Sequence, residues 1–254
     1  MGARKYFDRY GATSADLAHV SVSLREHALL NPQAVMKTPL TVEEHQDSRF
    51  VCAPLHLYDY CQTIGGACVV IVSTAERAKD GPNPPVYLMG MQGMCAGREE
   101  ATGARPGLGI NQQDENYPVP HPRDLEIFRM AGVSHADIDA FYTYDAMSSI
   151  VWMSLERFGF CKPGEAWQFV KEGHIRPGGK LPVNTNGGGL SYCHPGMYGL
   201  FLLTSLLAFW TLQRALDRPC WQRWAVWALA ALATAATHPY GALVDRKSTR
   251  LNSS

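Results

Sequence analysis

The sequence predicts an α/β protein in which helices cover strands in layers. Short apolar runs of β-branched character alternate along the chain with segments of helical period, and breaks rich in Gly and Pro separate them. One strand-like run, Asp139–Tyr144, leads directly into Asp145 and a helical segment. Strand-to-helix turns are where such layered folds place reactive groups.

Thr13 and Ser14 predict the cap of a helix that carries Leu17, Val20, Leu24 and Ala28 on one stripe and is closed by Asn31-Pro32. Residues 32–55 hold Pro32, Pro39 and Pro54 among polar residues, which predicts an irregular excursion. Ala67–Ser73 is an uninterrupted apolar run, as expected for a strand covered on both faces. Val86–Met94 predicts a second strand after a Gly/Pro break, and the Gly, Pro and Asn of residues 97–120 predict a domain seam. His121–Met130 predicts a helix ending at Gly132. Asp139–Tyr144 alternates like a strand, and Met147–Phe158 predicts a helix ending at Gly159.

Composition narrows the function. Lys plus Arg and Asp plus Glu are 23 each, so no overall field draws in nucleic acid or an anionic membrane surface. The 7 cysteines form no C-x-x-C pair and no regular spacing, so neither a zinc ribbon nor a disulfide framework is indicated, and no metal is expected. A reducing, cytoplasmic setting is expected. The charged opening Met1–Asp8 has no apolar run behind it, so it does not read as a secretory signal.

Four stretches carry a family resemblance. They are Arg9-Tyr10-Gly11 with Asn31-Pro32-Gln33-Ala34; Pro54-Leu55 through Asp59 and Cys61 to Glu76-Arg77-Ala78; Asp137-Ile138-Asp139 with Tyr144-Asp145; and Gly179–Ser191 running into His194-Pro195 and Gly199. Together they resemble the thiolases, and more closely the thiolase-like proteins associated with sterol carrier and lipid-transfer proteins, over about residues 4–203. The resemblance implies a layered αβαβα fold, incomplete here, and chemistry on acyl-coenzyme A thioesters in which a carbon–carbon bond is made or broken. It implies a loop region and the end of a first half over residues 1–97 and a truncated second half over residues 98–203. It also implies a homodimer or a small partner protein for the parent, with coenzyme A as substrate carrier and no tightly bound cofactor.

Claisen-type chemistry needs an activated nucleophile and donors aimed at the thioester oxygen, each worth about 3 to 4 kcal/mol. His194, on a Gly-rich loop, is expected to activate or to donate at the oxyanion; an exposed turn residue ahead of Pro195 is the bland alternative. Asn184, Asn186, Gly187, Gly188 and Gly189 are expected to bind substrate, the glycines by letting backbone N–H groups approach a ligand. At Tyr144 many thiolases carry Asn and sterol-carrier-linked relatives carry His, whereas retro-aldolase relatives acting on steroid side-chain thioesters have Tyr-Asp. A phenol titrates near 10 and is a poor base at pH 7, yet it donates to an oxyanion or shuttles a proton when tuned. A half-buried strand residue anchored by its hydroxyl is the competing reading. Asp145 is expected to cap or orient the following helix.

The family's acyl-accepting cysteine is expected to precede the segment with which this chain begins, so the fragment is expected to be inactive by itself. Cys61 and Cys68 read as inert core thiols, and Cys193 is expected to point away from its neighbour His194. Residues 204–254 read as a foreign, apolar tail. The runs Gly199–Gln213 and Trp224–Val244 are uncharged, a bilayer span needs about 20 apolar residues, and Arg214, Arg218 and Arg223 lie between them. Two membrane-like helices are therefore expected, with a loose likeness around His238-Pro239 to membrane glycosyltransferases and an artefactual end from Asp245. The leading expectation is an acyl-coenzyme A acyltransferase. The alternatives are a retro-aldolase acting on side-chain thioesters and a non-catalytic lipid-binding protein.

Overall fold

The computed structural model describes residues 2–65, 71–81, 84–90, 120 and 125–194. Its centre is helix α2, Ser14–Leu29, preceded by α1, Gly2–Tyr10. Thr13 caps α2 as its sequence implies: the Thr13 side chain accepts from Asp16 N–H and the Asp16 carboxylate accepts from Thr13 N–H, a reciprocal capping box. Leu17, Val20, Leu24 and Ala28 are fully buried. Burying each of the three larger side chains stabilises the fold by about 1.5–3 kcal/mol.

Burial extends beyond that stripe, because α2 is covered by the helices Val42–Asp47, Ser148–Arg157 and Ala166–Lys171 and by the Gly-rich loop. Its polar residues are therefore buried with partners. Ser21 donates to Tyr58 C=O at 2.9 Å, Arg25 to Thr38 C=O at 2.9 Å, and His27 Nε2 meets Ile175 C=O at 2.9 Å.

The excursion after α2 holds more order than its prolines suggest. Thr41 and Glu44 form a second capping box that starts α3, Val42–Asp47, and β1, Phe50–Cys52, pairs antiparallel with β2, Leu55–His56. A 3-10 turn over Leu57–Asp59 follows, and α4 spans Ala75–Lys79. The run expected as a buried strand is corrected where it is described: Ile71 and Val72 are 90% and 84% exposed and carry no strand. Residues 86–90 also lack a ladder, with Val86 and Leu88 exposed. An apolar run becomes a strand only beside a hydrogen-bonding neighbour, and none of the described residues supplies one there.

α5, Glu126–Ala131, and α6, Ser148–Arg157, stop next to Gly132 and Gly159 as expected. α7, Ala166–Lys171, completes the described helices. Tyr6 of α1, Trp152 and Leu155 of α6, Val170 of α7, Ile175 and Val183 join the α2 stripe in one core. The strand expected over 139–144 is an extended segment whose residues alternate buried and half-buried from Phe141 to Asp145. It pairs in parallel with 182–184 through a single bridge, Phe141 with Val183.

Residues 97–119 of the expected seam lie outside the described residues, as do residues 121–124 of the expected helix, residues 195–203 and the whole tail from 204 to 254. No helix among the described residues is long and apolar enough to cross a membrane.

Candidate active site

The extended segment carrying Tyr144 is held by Asn184. Phe141 N–H donates to Pro182 C=O and Asn184 N–H to Phe141 C=O, both at 3.0 Å. The Asn184 side chain then continues the ladder, its Oδ1 accepting from Thr143 N–H and its Nδ2 donating to Thr143 C=O, both at 2.9 Å. Its own backbone turns away with φ 47°, a left-handed conformation that Asn tolerates. Asn184 is fully buried, with both ends of its side-chain amide engaged in holding the segment that carries Tyr144.

The Gly-rich loop then packs against α2. Gly187 and Gly188 have φ 104° and 67°, and a Cβ on them would lie 2.6 Å from Ala28 Cβ and 2.1 Å from Asp145 Oδ2. Only glycine meets both demands. The three amides expected to face a ligand donate internally: Gly187 N–H to Asn184 C=O at 2.8 Å, Gly188 N–H to Asn186 Oδ1 at 3.0 Å and Gly189 N–H to Asp145 Oδ1 at 2.8 Å. These glycines make close packing possible. Asn186 fixes the turn through its Oδ1, while its buried Nδ2 meets no acceptor among the described residues.

From Gly188 to Tyr192 the chain makes one turn of π-helix, a form often found at functional sites. Asp145, fully buried, accepts from Gly189 N–H and from Leu190 N–H at 3.4 Å. Of the capping or orienting role expected for Asp145, the cap position itself is held by Met147, and the Asp145 carboxylate engages the loop. The carboxylate reaches back across the turn and orients the loop. Arg25 Nε donates to Ser191 Oγ at 3.0 Å and ties the same turn to α2. Sequence reasoning missed Arg25, whose one signal was a cation facing an otherwise apolar helix stripe.

His194 leaves this turn beside residues 60–63. Its N–H donates to Gln62 C=O, and Gln62 N–H donates to Gly189 C=O, both at 2.9 Å. Tyr60 bridges to Met147 and Cys61 N–H donates to Ala146 C=O at 3.1 Å, so this strip stitches the two loops together. Across it, His194 Nε2 lies 3.1 Å from Tyr144 Oη, with ring centroids 5.3 Å apart. His194 is 8% exposed and Tyr144 half-buried, so the pair stands at an edge rather than in the core. An imidazole and a phenol at that distance share a proton, which lets either end take or give one at the edge.

Cys193 is fully buried among Ala28, Ala34 and Tyr192. Cys61 is half-buried, and burial, the largest cause, pushes the Cys161 thiol up to about 12. Cys68 lies outside the described residues. Among the described residues no group of three His, Cys, Asp or Glu side chains converges as a metal would require.

Residues 125–213 match the family described as thiolase C-terminal domain-like, a stretch that holds Tyr144, Asp145 and the loop to His194 and runs on past Leu203. The chain is 40% identical over 213 residues to the steroid side-chain-cleaving aldolase of Thermomonospora curvata, covering 79% of this chain and 51% of that one. The chain belongs to the thiolase family. Within it, the 17-hydroxy-3-oxo-4-pregnene-20-carboxyl-CoA lyase of Mycobacterium tuberculosis is 37% identical over 79% of this chain and 51% of its own length. The benzoylsuccinyl-CoA thiolase subunit BbsB of Thauera aromatica is 32% identical over 77% of this chain and 49% of its own. A solved structure, the Ltp2-ChsH2(DUF35) aldolase, superposes with TM-score 0.61 at 34% identity over 80% of this chain and 52% of that one. The thiolase-like fold expected from the sequence is thereby shown. This thiolase-family chain spans about half the length of the curated relatives it matches.

Proposed function

We propose that the protein carrying this chain is a lyase that cleaves a β-hydroxyacyl-coenzyme A thioester by a retro-aldol reaction. The observation that carries the reading is the Tyr144 Oη–His194 Nε2 distance of 3.1 Å. Retro-aldol cleavage starts when a base takes the proton of the hydroxyl on the β carbon. Tyr144 Oη accepts that proton as its own passes to His194 Nε2, which overcomes the poor basicity of an isolated phenol. The C–O bond becomes C=O, the Cα–Cβ bond breaks, and its electron pair enters the thioester enolate. The same pair then returns a proton to Cα, giving a ketone and a shorter thioester with no free coenzyme A consumed.

Two relatives named as an aldolase and a lyase, at 40% and 37% identity, support this reaction over acyl transfer, since relatives named as a thiolase subunit and an acetyl-CoA acetyltransferase stand at 32% and 31%. Their names also support a steroid side chain as the group released. The alternative drawn from the sequence thus replaces its leading expectation. The expected inactivity of the fragment rested on an acyl-accepting cysteine, and retro-aldol cleavage needs no covalent acyl-enzyme, so that expectation applies to thiolysis alone. Acyl transfer keeps one specific support, an imidazole following a Gly-rich loop. Relatives titled as a subunit and as a two-component aldolase support assembly with a second protein.

The test is product analysis with a β-hydroxyacyl-coenzyme A in the absence of free coenzyme A. A ketone and a shorter thioester in equal amounts are expected from the unaltered protein, and Tyr144→Phe is expected to lower the rate by about 10²–10⁴-fold. Turnover that requires free coenzyme A and survives Tyr144→Phe would reject the reading.

A further inference from the structure

Behind the Tyr144 turn lies a second buried network that the proposed reaction does not use. Asp59, His45 and Ser148 are fully buried and His56 is 4% exposed. His45 Nε2 donates to Asp59 Oδ1 at 3.1 Å, while its Nδ1 accepts from Gln46 Nε2 at 3.0 Å. Those two bonds set one ring orientation and one tautomer. Asp59 Oδ2 accepts from His56 N–H at 2.7 Å, and the His56 ring donates in turn from Nδ1 to Ser48 C=O at 2.7 Å. Ser148 Oγ donates to Asp59 Oδ1 and closes the network on the far side.

Ser148 is the first residue of α6, and Met147 before it bridges to Tyr60 immediately after Asp59. The turn 144–148 is therefore clamped from two sides. Asp145 fixes it to the loop that carries His194, and Asp59 fixes it to α3 and the 3-10 turn. A buried carboxylate that accepts three hydrogen bonds resists displacement, because each lost bond leaves a desolvated group behind.

We propose that Asp59, oriented by His45 and acting through Ser148, is a positioning residue that holds Tyr144 in register with His194. The inference rests on the lyase reading only for what the register achieves; the register itself is measured without turnover. Loss of the Ser148 link releases the first turn of α6, and Tyr144 then drifts from the imidazole by a fraction of an ångström to one ångström. A shift of that size costs up to about a hundredfold in rate.

The experiment places 3-fluorotyrosine at position 144 of the full chain and reads its ¹⁹F resonance. The His194→Gln variant gives the position of an uncoupled ring. Ser148→Ala is expected to move the resonance at least half of the way to that position, with the helical circular dichroism retained. Tyr6→Phe, which removes a hydrogen bond at the opposite end of α6, is expected to lower the melting temperature and leave the resonance in place. A folded Ser148→Ala protein whose resonance coincides with that of the unaltered protein overturns the proposal. Should Ser148→Ala not fold, Asp59→Asn is read in the same way, its amide facing His56 N–H donor to donor. Where activity is measurable, kcat is expected to fall about tenfold or more with KM within about twofold, since the misplaced group acts on bound substrate. A displaced resonance in a protein with no retro-aldol turnover rejects the lyase reading and leaves the positioning role standing.

Discussion

Asp145 illustrates how one buried carboxylate organises a loop. Its two oxygens each accept a backbone N–H of the π turn, from Gly189 and Leu190, and charge-assisted bonds of this kind are about twice as strong as neutral ones. Asp145→Asn keeps the shape but turns an amide donor toward one of those N–H groups. It is expected to destabilise the fold by about 1–3 kcal/mol, read as a lowered denaturant midpoint at constant m. Gly188→Ala is expected to be more severe, because its Cβ would lie 2.1 Å from Asp145 Oδ2 and its φ of 67° disfavours a side chain; loss of soluble, folded protein is the outcome to look for. At this scale the sequence was partly legible. The ordered run ending in His194, and Tyr144-Asp145 before a helix, marked the residues that meet in space. Which groups those residues satisfy was hidden, because Asn184 and Asp145 bond to backbone atoms 41 and 44 residues away. No local pattern encodes such pairings.

Among the elements, α2 was the most legible, since a capping box and an apolar stripe are local signals that tertiary packing here reinforces. Leu24→Ala removes a fully buried side chain that lies against the Gly188 position, and a loss of about 2–5 kcal/mol is expected in chemical denaturation. Helix α1 was not foreseen. Ala3, Tyr6, Phe7 and Tyr10 nevertheless fall at helical spacing and pack on the core, and Tyr6 donates to Glu156 Oε1 at 2.5 Å and packs 5.1 Å from the Trp152 ring. Burial pushes the Glu156 carboxyl up from 4.5 to about 7, against the pull of donors from Tyr6, Ala166 and Gly164. Between those two values the folded protein keeps a proton that the unfolded chain has lost. Its contribution is therefore complete below about pH 4.5 and disappears as the pH rises through about 7, a change of the order of 3 kcal/mol. Glu156→Gln keeps the acceptor and removes the titration. The melting temperature of the parent relative to that of the variant is expected to fall between pH 4.5 and 7, because His19 and His27, whose burial lowers their pKa in both proteins, cancel in the difference.

Across the whole molecule, the described residues form a main core around α2 with a smaller cluster at Ala28, Ala34, Tyr192 and Cys193, and the site sits where two loops from the second half of the chain meet residues 60–63 from the first. Helix–strand alternation pointed to the layered class, and the family relationship bears out the thiolase-like fold. The strands themselves were overestimated. Ile71 and Val72 share the β-branched character of a buried strand, but pairing decides strands and pairing is a long-range property. The central claim is that Tyr144 and His194 act as one proton-transferring unit on a β-hydroxyacyl thioester. The most direct measurement is the pH dependence of kcat for retro-aldol cleavage, compared between the unaltered protein and His194→Gln. The account predicts that removing the imidazole displaces the acidic limb, along which the base loses its proton, upward toward the ordinary phenol value near 10, and lowers the rate at pH 7 by about a hundredfold or more. An unchanged profile and rate in His194→Gln would contradict it.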